Sequence, residues 1–475
     1  MTDRSLLFHN RRVSRLCARL APVAAACVLM LSGASRAQAP KTLALVGGML
    51  LTGYEVPPVH HAAIVVEGNR IAQAGPASEV TIPPDATIID TNGRTMLPGL
   101  IETHAHLVIL GHGDYPRWFA WIDKQGRDKM LPRVMEISAK QLLMAGVTTA
   151  IDLGAPLEAI LSIRDRIGKA EIAGPRMLVS GPWLTRTPAV FPLDYQTTVT
   201  SPGQAGQETE KLARAGVDVI KAHAGLTFED YQAIVASAHA HGLKVYAHVY
   251  AEADVRHALD AGIDILTHAG SAGTAPPYSL EVVRDIVNAG RPVVVTAAHR
   301  SWVYPDTAAF PERLQDPQLK KDLPPDMYAE VQDSLKNWPG LTYFQRTDRE
   351  MFFRERGIKQ FIESGAVMGI GTDSGTPMNF HSEALWREIK VHVDMGMAPQ
   401  RAISAATRVN AGIIGKARDL GTIEPGKLAD IIVVNGNPLF DIVSLSHVEV
   451  VVKGGIVYKG GASAGTRSSG KASGK

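Results

Sequence analysis

The chain has 475 residues, 45% of them hydrophobic and 20% charged, a globular composition that excludes a largely disordered protein. The formal net charge of +2 overstates its basicity, because the first 37 residues hold six Arg and one Asp. The remaining 43 basic and 46 acidic side chains leave no strong basic field, which argues against nucleic acid and anionic membranes as partners.

Taken in chain order, residues 1–37 read as an export signal. Arg11, Arg12, Arg15 and Arg19 form a positive start, residues 20–31 an apolar core, and Ser35 and Ala37 a small-residue cleavage site. The expectation is a mature chain from Gln38, periplasmic or secreted. No stable membrane span should remain after cleavage, since the apolar run falls short of the ~20 residues a span needs. The Arg11-Arg12 pair leaves Sec and twin-arginine export both open. Cys17 and Cys27 are the only cysteines and both fall in this segment. The mature chain would thus hold no disulfide, no thiolate nucleophile and no cysteine metal ligand.

Residues 38–97 read as short strands separated by turns (VPP, EGN, IPPD, TNG), the first part of a small β-sandwich. From 98 to 411 the pattern changes. An amphipathic helix ends, a glycine follows, and a short Val/Ile-rich strand begins at once: AGVTTAID, AGVDVIKA, HGLKVYAH, AGIDILTH, NAGRPVVVT and SGAVMGIGTD. Glycine just past a helix suits the left-handed cap position, and unbroken apolar runs suit strands buried on both faces of a parallel sheet. With strands near 98–103 and 176–180 the count reaches eight βα units. The expected fold is α/β, a TIM-type (β/α)8 barrel. Residues 412–460 return to short strands, LADIIVV and VEVVVKGGIVY, expected to complete the sandwich with the N-terminal flank. Residues 461–475 are a Gly/Ser-rich, disordered tail.

Most of the 16 histidines of such a chain are structural. The informative ones stand at C-terminal ends of strands, where barrel active sites are built. His104 and His106 end the first strand in GLIETHAH, and residues two apart on an extended segment point the same way. The letters HAH recur at His239 and His241, but on a helix end, where a two-residue step turns the side chains ~200° apart. His248 ends KVYAH, His268 ends DILTH and Asp373 ends GIGTD. Four histidines and a carboxylate converging from separate strands point to metal. Lys221 ends VDVIKAH. An ammonium there would be repelled by cations, whereas a desolvated neutral amine adds carbon dioxide to give a carbamate, N6-carboxylysine, whose two oxygens can bridge two ions.

PGLIETHAHL, VDVIKAH, KVYAH, DILTHAG, GIGTDSG and GTIEPGKLADIIVV together resemble the amidohydrolase superfamily, and within it the imidazolonepropionase-like branch that includes prolidase-like carboxypeptidases and ochratoxinase. The resemblance spans nearly the whole mature chain. It implies that His104, His106, Lys221 and Asp373 hold one divalent metal and that Lys221, His248 and His268 hold the other, with zinc the default. True imidazolonepropionase is mononuclear and lacks the strand-four lysine, so Lys221 argues against that activity. A water between two such ions is acidified toward neutrality, and Asp373 can take its proton and pass it to the leaving group.

The expected reaction is hydrolysis of an amide or peptide-like C–N bond in a small molecule. An ester, lactone, carbamate or phosphotriester is the alternative, and a non-catalytic relative, which would have lost ligands, the alternative of a different class. The first strand's loop carries Tyr115, Trp118, Phe119 and Trp121. The long segment after strand seven carries Trp302, Tyr304, Tyr328, Trp338, Tyr343 and Phe344. If they line the pocket, with Trp118 and Trp302 as contacts, they favour an apolar or aromatic substrate. His223, on the inward side with Lys221, and His299, after strand seven, are candidate substrate contacts. The sequence leaves a homo-oligomer open.

Overall fold

The computed structural model describes residues 42–270, 277–344 and 347–460. The expected signal segment and the glycine-rich tail lie outside the described residues. No helix among the described residues is long and apolar enough to cross a membrane.

Six short strands come first: β1 (Leu43–Val46), β2 (Met49–Leu50), β3 (Ala62–Glu67), β4 (Arg70–Pro76), β5 (Thr87–Asp90) and β6 (Arg94–Pro98). The glycine-paced region supplies β7 (Leu100–Ala105), β8 (Val147–Asp152), β9 (Arg176–Val179), β10 (Trp183–Thr185), β11 (Gln196–Thr198), β12 (Val219–Ala222), β13 (Lys244–His248), β14 (Ile265–Thr267), β15 (Val293–Val294) and β16 (Met368–Gly369). The chain closes with β17 (Ile431–Asn435), β18 (Val448–Lys453) and β19 (Ile456–Lys459).

The flanks form two mixed sheets, ordered β4-β3-β1-β5 and β19-β18-β17-β6-β2. β6 and β17 pair antiparallel from Pro98 opposite Ile431 to Arg94 opposite Asn435, so the N- and C-terminal flanks share a sheet. LADIIVV is an unbroken apolar run because β17 is covered on both faces. Ile431 and Val433 pack with Leu43, Leu45, Ile64 and Val66 of the other flanking sheet. Their alternating neighbours Ile432 and Val434 pack with Val134, Met135 and Leu142 in the larger core. Period-two geometry sends successive residues to opposite faces, so only a strand buried on both sides reads this way.

The ten central strands pair in parallel as β7-β8-β9 and β11-β10-β12-β13-β14-β15-β16. Hydrogen bonds join the three-stranded set to the longer one on both of its sides. Asp218 N–H donates to the Val179 carbonyl at 2.8 Å, and Asp373 N–H to the His104 carbonyl at 2.7 Å. His106 N–H donates to the Ser374 carbonyl at 3.1 Å, and Ala105 bridges Ser374 in parallel. The glycine pacing is real: Gly216 caps the helix Pro202–Ala215 at φ 88, a conformation that carries no Cβ penalty only for glycine. Its turn feeds β12 and so Lys221.

Candidate metal centre and active-site pocket

The pocket is built at the C-terminal ends of the parallel strands. β7 carries His104 and is followed by His106. β12 carries Lys221 and is followed by His223. β13 ends on His248 and β14 is followed by His268, while His299 and Asp373 come from the segments after β15 and β16. All eight side chains line one open pocket.

At its floor, one ligand atom each from His104, His106 and Asp373 lie within 4.8 Å of one another. Asp373 Oδ1 is 3.5 Å from His104 Nε2 and 3.0 Å from His106 Nε2. An ion with ligands at about 2.1 Å in a tetrahedral array sets its donor atoms roughly 3.4 Å apart, so this trio fits one. The His248 and His268 rings are 4.5 Å apart, and His268 is 4.7 Å from His104, which continues the donor surface away from Asp373. The internal HAH control behaves as helical geometry requires. His239 bonds Asp264 at 2.9 Å and His241 bonds the Ser237 carbonyl at 3.0 Å, both on the exposed side of the molecule.

Electrostatics suit cation binding. Burial holds His104, His248 and His268 well below the usual imidazole range, in the neutral form that ligates metals. Burial alone would raise the Asp373 carboxyl. The surrounding His299, His106 and His104 outweigh it and hold the group well below the usual carboxylate range. Lys221 is 1% exposed, and burial brings its ammonium down to about 7. Its hydrogen-bond partner is the Thr267 hydroxyl at 2.8 Å rather than a carboxylate. A buried lysine held near neutrality fits the chemistry of carbamate formation.

Several supporting residues escaped the sequence reading. Glu102, fully buried, accepts the His104 N–H at 2.8 Å and the Thr372 N–H at 3.0 Å, and the Thr372 hydroxyl donates to it at 2.8 Å. It thereby staples β7 to the segment that presents Asp373; burial pushes its carboxyl up to about 8 despite those bonds. His381 bridges Ser374 Oγ at 2.9 Å and the Ile109 carbonyl at 3.0 Å. Asn379 donates to the Asp373 carbonyl at 3.2 Å.

The aromatic wall is not the expected one. Trp118 is fully buried beneath the surface, donates its indole N–H to the Val108 carbonyl at 2.9 Å and stacks on Trp121. Trp302 is half-buried against the core, and neither tryptophan lines the pocket. Tyr115 and Tyr343, from the two loops singled out, do line it, with Trp183, Phe191 and Tyr250. The rings run in contact from Tyr343 to Tyr115, Phe191, Trp183 and His223, with centroids 4.8–6.1 Å apart. Trp183 follows β9, so the rule that chemistry gathers after strands would have found it. His223 stacks on Trp183, and its Nδ1 is buried with no hydrogen-bond partner among the described residues.

Comparison with known proteins agrees with this architecture. A profile of the Amidohydrolase family matches residues 95–458. The imidazolonepropionase of Geobacillus kaustophilus is 22% identical over 440 residues, covering 84% of this chain and 90% of its own. A crystal structure described as a putative prolidase from Bifidobacterium longum superposes with a TM-score of 0.69 at 26% identity, over 88% of this chain and 95% of its own. The A. niger ochratoxinase structure gives 0.67 at 22% identity, over 89% and 97%, a likeness of fold. With the family match over most of the chain and a His104–His106–Asp373 site that fits a metal, this chain belongs to the Amidohydrolase family, as a metal-dependent hydrolase acting on carbon–nitrogen bonds.

Proposed function

We propose that the chain hydrolyses an amide or peptide-like C–N bond next to an apolar or aromatic group, on two divalent ions bridged by a carboxylated Lys221. The observation that carries this reading is the convergence of His104, His106, Lys221, His248, His268 and Asp373, delivered by five parallel strands, into one pocket. His104, His106, Lys221 and Asp373 would hold one ion, and Lys221, His248 and His268 the other. When bound, such ions polarise a carbonyl and acidify a water. Asp373 is then the proton acceptor, since Oδ1 faces the His104–His106 side while Oδ2 faces His299 at 3.3 Å. The aromatic run from Tyr343 to Trp183 would hold the apolar part of the substrate and exclude water from the scissile bond. His223, at the end of that run, would meet a polar group of the substrate. The putative prolidase among the similar structures supports a peptide-like substrate.

We further propose that the two parallel sheets form one (β/α)8 barrel over residues 98–411. Support comes from the hydrogen bonds between Asp218 and Val179 and between Asp373 and His104, which join the three-stranded sheet to the longer one on both of its sides. Residues 38–97 and 412–460 would be the shared sandwich.

Metal content and a Lys221→Ala variant test the centre together. The parent should bind about two divalent ions, zinc by default for nitrogen and oxygen donors. Lys221→Ala should lose most activity and regain part of it when short carboxylic acids and metal are supplied, because these replace the bridging carbamate. A fully active alanine variant with a single ion would show the two-ion centre to be wrong. Turnover of lactones or phosphotriesters but of neither N-acyl amino acids nor Xaa-Pro dipeptides would overturn the substrate reading.

A further inference from the structure

Two residues beyond β15 the chain makes a turn that its sequence disfavours. Thr296, a β-branched residue, stands at φ 53, in the left-handed region such side chains rarely adopt. It is fully buried, and its hydroxyl and carbonyl each meet a histidine of the pocket. Its hydroxyl is 2.7 Å from His268 Nδ1, and its carbonyl accepts from His299 Nδ1 at 2.6 Å. The segment is held from outside as well. Buried Glu388 accepts the N–H groups of Ala297 and Ala298 at 2.7 and 2.6 Å, and Arg354 donates to the His299 carbonyl at 3.0 Å.

The geometry points to Thr296 as a positioning residue that sets the ring orientations of His268 and His299 together, and so ties the second ion's side of the pocket to the Asp373 side. The inference rests on the two-ion reading above. A histidine presents one ring nitrogen to a metal reliably when the other is engaged by a fixed partner, which selects the tautomer and the ring plane. The Thr296 hydroxyl is that partner for His268. Glycine or asparagine would reach the same backbone conformation more readily. What threonine adds at this turn is therefore the hydroxyl.

Three variants of the full chain separate the hydroxyl from the backbone. Thr296→Val keeps the branched shape and removes the hydroxyl; Thr296→Ser keeps the hydroxyl; Thr296→Gly removes the hydroxyl but relaxes the turn, and so reports even if valine folds poorly. Release of bound zinc to a chromogenic chelator should become ~10–100-fold easier for one ion in the valine and glycine variants, the usual cost of losing such a partner. The serine variant should stay near the parent. The kcat of the valine variant should fall with KM little changed. A serine variant that releases zinc as readily as valine, or a valine variant that keeps parental zinc affinity and kcat, overturns the proposal. A parent that binds no zinc overturns the two-ion reading first and this inference with it; a zinc-loaded parent matched by its valine variant overturns the inference alone.

Discussion

Asp373 is held more tightly than any metal ligand needs for charge alone. It stands at φ 57, a conformation uncommon outside glycine. Its N–H donates to the His104 carbonyl at 2.7 Å, and its own carbonyl accepts from the Thr376 hydroxyl at 2.8 Å and the Asn379 amide at 3.2 Å. A carboxylate fixed in this way can face two directions at once, Oδ1 toward His104 and His106 and Oδ2 toward His299. Its proposed role as proton acceptor separates from its proposed role as ligand in Asp373→Asn. That variant keeps the size and one ligand oxygen but cannot take up a proton. It should retain most of its metal and lose on the order of 10²-fold or more in kcat, with KM little changed. Steady-state kinetics beside a metal determination check this, and near-parental kcat in a metal-loaded asparagine variant would remove Asp373 as the base. These candidate ligand positions could be singled out in sequence because each stands beside a strand's C-terminal end, where i and i+2 spacing and strand-ending motifs carry geometric meaning. The bonds that hold them were not. Beside local bonds to His104 and His299, Glu102, His381 and Thr296 act through contacts 7 to 272 residues distant in sequence, which no local pattern encodes.

Among the elements, the helix Thr347–Ser364 meets the turn that follows His268 through a close glycine crossing. Gly357 on that helix touches Gly270, two residues after His268. A Cβ built at Gly357 would come within 2.6 Å of the Gly270 carbonyl oxygen and 3.1 Å of its Cα. Backbone cannot step aside as a flexible side chain can, so Gly357→Ala must push the helix and the His268 turn apart. The expected cost is about 1–3 kcal/mol of stability, with weaker metal retention because the displaced turn carries a proposed ligand. Gly412 is the control: it also sits in a helix, and an added Cβ meets nothing within 4 Å. Gly412→Ala should be neutral or gain up to about 1 kcal/mol. Urea unfolding of both variants checks the pair, and equal stabilities would mean the crossing relaxes freely. At this scale the sequence spoke unevenly. Six of the parallel strands, β8, β12, β13, β14, β15 and β16, announced themselves because a capping glycine leads into an apolar run at each. Short β10 and β11, around the PAVFP segment, have no such periodicity and went unread, and with them Trp183 and Phe191. Counting aromatic residues in a loop could not say which face of the helix Tyr115–Lys124 turned inward, and Trp118 packs away from the pocket.

For the whole molecule, the closing sheet is bound up with the site rather than appended to it. β6 leads through Gly99 directly into β7 and the His104–His106 pair, and its antiparallel partner is β17, more than 300 residues later. Asp430, just before β17, ties three regions together. Its carbonyl accepts the Gly99 N–H at 2.9 Å, and its carboxylate meets Arg176 of β9 and the Gly454 N–H, each at 2.8 Å. Removing everything after residue 419 would strip β6 of this partner and delete fully buried side chains, among them the six strand residues Ile431, Ile432, Val433, Val434, Val451 and Val452. At about 1.5–3 kcal/mol each, their burial amounts to roughly 9–18 kcal/mol, comparable with the whole net stability of about 5–15 kcal/mol typical of a folded protein. A chain ending at 419 should therefore lose its cooperative unfolding transition and its bound metal together, because the strand that presents His104 and His106 loses its anchor at the same moment. A chain ending at 460 keeps every strand pair named here and should match the parent in melting temperature, metal content and kcat. Thermal unfolding and metal analysis of the two truncations decide the matter. A 419-residue chain that still holds metal and melts in one transition would show that β7 is positioned without the flanking sheet.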